Sequence, residues 1–168
     1  MCTLTLMPTW ILATLLALHV LHAPEPRWNW PLPNPQLLQR FDPPSHRWLP
    51  GHRGVDLQAH PGQPVLAAGP GTVTFAGKVG GLTAIAITHP GGLRTTYLPV
   101  EPTVHPGQPI TTGTQIGTIT DHPVPHCPST CLHWGLLRTD RYLDPLLLLG
   151  LGKVRLLPLN LTQRQVLP

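Results

Sequence analysis

The sequence predicts an all-β domain, and three observations carry that prediction. Short strand-like runs recur from residue 51 onward, Gly or Pro separates nearly all of them, and no stretch reads as a good helix of ten residues or more. Pro 23 and Gly 16 supply almost a quarter of the 168 residues, while 41% hydrophobic content spread through the middle supplies a core. The length allows one domain with appendages. Only 11% of residues are charged, and the net +4 comes from singly scattered Arg and Lys without a basic run, which argues against nucleic acid as a partner.

Residues 1–23, MCTLTLMPTWILATLLALHVLHA, hold no charge, and the apolar run from Trp10 to Leu18 is too short to span a bilayer comfortably. The segment reads as a signal peptide or an uncleaved anchor, which predicts a secreted or cell-envelope protein that meets the membrane only through this segment. A buried N-terminal helix is the alternative, because no Lys or Arg precedes the run, Leu21 is bulky for a cleavage site after Ala23, and Pro24 would follow it. Residues 24–50 form a Pro/Trp-rich lead-in. Its prolines exclude a helix interior or central strand, so it should run extended and lay Trp28, Trp30, Leu37, Phe41 and Trp48 on the domain surface.

The expected strands are VLAA (65–68), TVTFAG (72–77), LTAIAITH (82–89), LRTTYL (93–98), QIGTIT (115–120) and LHWGLL (132–137). LDPLLLLG (143–150) has room for one or two helical turns, and 151–168 is a tail. HPGQPV at 60–65 recurs as HPGQPI at 105–110, two copies of one turn feeding the same kind of hairpin, with His60 and His105 read as turn residues.

Two stretches concentrate metal-binding side chains. GHRGVDL (51–57) sets His52 and Asp56 four residues apart; a straight strand would hold them about 13 Å apart, and a helix is disfavoured by Gly54, Val55 and the Pro50-Gly51 turn. If they share a metal, they do so from a bent loop or a bulged strand. DHPVPHCPSTCLHWGL (121–136) holds three histidines and two cysteines. Read alone, His126, Cys127, Cys131 and His133 could be zinc ligands, although the spacing is not that of common CxxC knuckles. In an exported protein Cys127 and Cys131 would instead close a short disulfide loop. Alternation of Leu132, Trp134 and Leu136 puts Cys131, His133 and Gly135 on the opposite strand face.

GHRGVDL, a PGxPVxAxxxGxVxxxG pattern, an I-x-x-H-x-x-G stretch, a second G-x-x-I turn and a late L-H-W strand follow in order over about residues 48 to 149. In this the chain resembles the LytM/lysostaphin-like zinc endopeptidases of bacterial peptidoglycan. The resemblance implies a curved antiparallel sheet with a groove and a duplicated hairpin over a domain at 51–150. It also implies a zinc ion held by His52, Asp56 and His133, with groove positions at His89, Tyr97 and Trp134. In the family two further histidines handle protons: the first His of an HxH motif, here Cys131, and the His of a YxH motif, here Pro99. The ligands are retained and the proton-handling positions are not. His122 and His126 are the candidate replacement bases.

The resemblance thus implies a zinc protein of the cell envelope acting on or binding peptidoglycan peptides, with weakened catalysis. The alternatives are a non-catalytic peptidoglycan-binding module or one that regulates another cell-wall hydrolase, and a surface-adhesion domain that binds through its Trp-rich lead-in. A lipoyl or biotinyl carrier is disfavoured because Lys78 lacks the flanking methionines.

Overall fold

The HPGQP repeat folds twice into one turn. In each copy the histidine N–H donates to the glutamine side chain three residues on, His60 to Gln63 Oε1 at 3.0 Å and His105 to Gln108 Oε1 at 3.2 Å. The glycine between them adopts a left-handed φ, +79° at Gly62 and +88° at Gly107, where a side chain would be strained. The histidines are exposed turn residues, as expected.

The computed structural model describes residues 28–46, 48–121, 124, 126–127 and 129–152. Among these, eleven strands follow in order: β1 (Leu37–Gln39), β2 (Gly54–Gln58), β3 (Pro64–Leu66), β4 (Gly71–Val79), β5 (Leu82–Thr88), β6 (Leu93–Leu98), β7 (Val100–Pro102), β8 (Pro109–Ile110), β9 (Gln115–Ile119), β10 (Cys131–Arg138) and β11 (Arg141–Leu143). All pairings are antiparallel. The main sheet runs β1-β2-β10-β6-β5-β4-β8 with β11 on β10, and a smaller sheet runs β3-β9-β7. Every expected strand overlaps an observed one. β1, β7, β8 and β11, of two or three residues, are too short to show a period.

The two repeat copies exchange partners. β3, after the first turn, pairs with β9 (Val65 opposite Gly117), and β8, after the second, pairs with β4 (Gly71 opposite Ile110). The core lies under both sheets: Val55, Leu57, Ile85, Ile87, Tyr97, Leu132 and Trp134 meet Val65, Val100, Ile116 and Ile119. Residues 145–149 make a short 3-10 helix, capped by Asp144 through its side chain to the Leu146 N–H at 3.0 Å.

The lead-in packs on the domain that follows it. Leu32 is 2% exposed, Trp28, Trp30, Leu37 and Phe41 pack against the core, and β1 extends the main sheet as its edge strand, where neighbouring prolines are tolerated. Trp48 departs from expectation: it is 80% exposed and stacks on the His46 ring. The apolar segment 1–23 lies outside the described residues. Among those described, no helix is long and apolar enough to cross a membrane.

Candidate metal centre

GHRGVDL is a strand entered through a bend. His52 and Asp42 exchange backbone hydrogen bonds of 2.7 and 2.9 Å, the chain bends at Arg53, and β2 begins at Gly54. The bend brings His52 Nε2 to 3.0 Å from Asp56 Oδ1. Gly54 is required by crowding: a Cβ there would lie 2.5 Å from the Trp134 carbonyl oxygen and 2.7 Å from His133 Nε2.

Strand register supplies the third donor. In the β2-β10 ladder Asp56 stands directly opposite His133, which in turn stands opposite Leu98 of β6. Opposed residues project to the same sheet face, and His133 Nδ1 lies 2.8 Å from Asp56 Oδ1. His52 Nε2 and His133 Nδ1 are 3.1 Å apart. A fourth side chain joins them, since His126 Nε2 is 3.2 Å from the same carboxylate oxygen. The ligand atoms of His52, Asp56, His126 and His133 all lie within 4.8 Å of one another. The three imidazoles surround the point edge to face, with centroids 4.9 to 5.4 Å apart.

These groups fit a zinc ion. Tetrahedral ligands about 2.1 Å from a metal stand roughly 3.4 Å from each other, so spreading the observed pairs by a few tenths of an ångström admits one. His52 Nδ1–H donates to the Arg40 carbonyl at 2.8 Å, which turns the Nε2 lone pair toward the centre. That lone pair then faces a carboxylate, an arrangement that needs a proton or a cation between them. Accordingly, although burial alone would lower the His52 pKa, the bonds to Asp56 and to the Arg40 carbonyl and the Asp56 charge raise it. Burial likewise works against ionised Asp56, yet the bonds to His133 and His52 hold its carboxyl well below the usual carboxylate range. Asp56 Oδ2 is buried without a hydrogen-bond partner, leaving a coordinating oxygen free.

The sulfurs of Cys127 and Cys131 lie within bonding distance, with Cα atoms 6.3 Å apart, and both stand close to Asp56. Pro99 is buried just beyond β6 and offers no side-chain donor or acceptor. His122 lies outside the described residues.

A groove of about 680 Å³ opens at this centre, lined by His52, His126 and His133, by Phe75, Val79, Ala84 and Leu98, and by Gln39, Arg53, Thr96 and Arg94. A second cleft of about 870 Å³ borders Arg53 and Tyr142 but holds none of the converging donors.

The groove assignment of His89, Tyr97 and Trp134 is corrected. Tyr97 and Trp134 are fully buried and belong to the core cluster, because strand alternation turns them away from Leu98 and His133. His89, 4% exposed, lies under the sheet: its Nδ1–H donates to the Pro70 carbonyl at 2.7 Å and its Nε2 meets Thr95 Oγ1 at 2.7 Å. Thr95 Oγ1 continues to the Tyr97 hydroxyl at 2.9 Å, which accepts the Ala68 N–H at 3.0 Å. Burial lowers the His89 pKa against the pull of the Pro70 carbonyl, and pushes the Tyr97 hydroxyl up to about 12 against the Thr95 and Ala68 bonds. The true lining of β6, Arg94, Thr96 and Leu98, was available from alternation once LRTTYL was read as a strand.

Three comparisons bear on this site. An uncharacterized protein of Mycobacterium tuberculosis is 47% identical over 146 residues, covering 83% of this chain; the chain spans 58% of that relative's length. The zinc-containing peptidase from Vibrio cholerae matches with a TM-score of 0.60 at 24% identity, over 70% of this chain and 38% of that one. The catalytic domain of the antimicrobial peptidase lysostaphin from Staphylococcus simulans matches with a TM-score of 0.60 at 22% identity, over 70% of this chain and 93% of that one. At such identities the two structures show a shared fold. Residues 50–145, which carry all four converging donors, match peptidase family M23, and the chain belongs to that family.

Proposed function

We propose that the protein is a zinc-dependent hydrolase of peptidoglycan peptides at the cell envelope, with catalysis reduced by the loss of one proton-handling group. The observation that carries this reading is the convergence of His52 Nε2, Asp56 Oδ1 and His133 Nδ1 on one point at the floor of an open groove, with His126 beside them. His52, Asp56 and His133 would hold the metal, leaving a fourth position toward the groove. When bound, zinc would acidify a water and polarise the scissile carbonyl. His126 Nε2 would take and return the proton, in place of the histidine that Cys131 replaces. The apolar wall of Phe75, Val79 and Leu98 would seat an extended peptide and shed water from it, and Thr96 would offer a hydrogen bond along β6. Pro99 leaves the second proton-handling position empty, hence the reduced rate. A Cys127–Cys131 disulfide, export through residues 1–23 and an extracytoplasmic location belong to the same reading, and thiol labelling of the unreduced protein tests the first of these.

A second reading, a binding or hydrolase-regulating module, draws support from Pro99 and Cys131, two positions where the family's chemistry uses histidine. The deciding experiment incubates the zinc-loaded chain with purified peptidoglycan and analyses the soluble fraction by mass spectrometry. Release of peptides supports the hydrolase. Retention of the protein on the insoluble wall with no released peptide, at full zinc content, overturns it in favour of the binding module.

A further inference from the structure

Two of the three cysteines converge on the carboxylate that already serves the histidines. Sγ of Cys127, Sγ of Cys131 and a carboxylate oxygen of Asp56 all lie within 4.8 Å of one another, a donor set distinct from the histidines but sharing Asp56. Asp56 Oδ1 contacts all three histidines, whereas Oδ2 is buried and has no hydrogen-bond partner. The two donor sets are also interleaved in sequence: Cys127 follows His126, and Cys131 precedes His133 by two on the same face of β10.

We propose that Cys127 and Cys131, when reduced, form a second set of metal donors around Asp56, so that the thiol–disulfide state of the pair sets which side chains hold the metal. The proposal rests on the zinc reading of the histidine site. In the oxidised state the sulfurs bond to each other and are withdrawn from coordination. The bridge then tethers the segment carrying His126 to the start of β10, beside the centre. Reduction by a dithiol through thiol–disulfide exchange delivers two electrons and two protons, giving two thiols. A divalent metal then displaces both thiol protons to solvent, and thiolates are softer ligands that zinc accepts at about 2.3 Å. Two thiolates with Asp56 and a histidine complete four-coordination and close the position that a substrate water would occupy. The oxidised protein therefore holds an open centre and the reduced protein a closed one.

Cobalt(II) reports the ligand set directly, because thiolate coordination adds a near-ultraviolet sulfur-to-cobalt charge-transfer band that histidine and carboxylate do not produce. The purified full chain is titrated with Co²⁺ without oxygen, once oxidised and once reduced by a phosphine that is then removed. The expected result is cobalt bound in both states, with the charge-transfer band only after reduction and its weakening to that of a single thiolate in Cys127→Ser. Cys127 is the less buried partner, and circular dichroism verifies the fold of that variant. Identical spectra in the two states, with cobalt bound and no thiolate band, overturn the proposal and leave the histidine site standing. Failure to bind cobalt in either state overturns the histidine site, and the proposal with it.

Discussion

Asp56 and His133 are partners twice over: they face each other in the β2-β10 ladder, and their side chains meet at 2.8 Å. The backbone hydrogen bonds of two central strands thus set the spacing of two metal donors. His52 is less firmly built, held by one bridge to Asp42 and the Arg40 carbonyl. His126, with a side chain 41% exposed, comes from the segment before β10.

This ranking predicts the metal behaviour of single variants. Asp56→Ala and His133→Ala should lose zinc affinity by more than the roughly 10- to 100-fold that follows loss of an outer-sphere partner. His126→Ala should keep one zinc per chain through dialysis. Metal analysis decides: zinc loss on removing His126 alone, with full retention in Asp56→Ala, would place the metal elsewhere.

If His126 moves the proton, His126→Ala should lower kcat by about 10²- to 10⁴-fold at unchanged zinc content, with little change in KM. A rise in KM with kcat unchanged would make His126 a substrate contact and not a base.

Gly54→Ala tests the crowding at the bend. The added methyl would meet the Trp134 carbonyl and the His133 ring, so the strands must part just where two ligands are aligned. Zinc affinity measured by chelator competition should fall at least tenfold, and the melting temperature should drop as well. Gly62→Ala, strained in backbone but in open space, should cost about 1–2 kcal/mol and leave zinc affinity intact.

His89 predicts a pH dependence that the site does not share. Its Nδ1–H donates to the Pro70 carbonyl, and a neutral ring satisfies the rest of the chain if Tyr97 donates to Thr95 and Thr95 to His89 Nε2. Its pKa is lowered in the fold, so on acidification the unfolded chain takes the proton first. The stabilisation is therefore complete above about pH 6.5 and declines as pH falls below it. In zinc-saturated protein, His89→Gln should cost about 1–3 kcal/mol at pH 7.5 and distinctly less at pH 5.5. Equal losses at both pH values in thermal melts would show that protonation of His89 is not coupled to folding.

Sequence alone carried the strand class and the duplicated turn, because each rests on local backbone chemistry; the bend in GHRGVDL followed only on the premise that His52 and Asp56 share a metal. Sequence carried the face of His133 as well, since Leu132, Trp134 and Leu136 alternate visibly. The same alternation placed Trp134 in the core, and assigning it to the groove by family position overrode that signal. Convergence of His126 on Asp56 was not legible, because seventy residues separate them and only the β2-β10 register brings their neighbourhoods together. The prolines of the lead-in show no period, whereas β1 needs only three residues to join the sheet.

The exchange of strands between the two HPGQP copies means that neither copy has a complete set of hydrogen-bonding neighbours within itself: β3 finishes against β9 and β4 against β8. Partly folded chains with one copy formed would leave open strand edges, so the two halves must assemble in a single cooperative event across distant contacts, the regime in which folding slows. A chain cut between β6 and β7 would part β3 from β9 and β4 from β8, so each fragment would lack strands that only the other supplies.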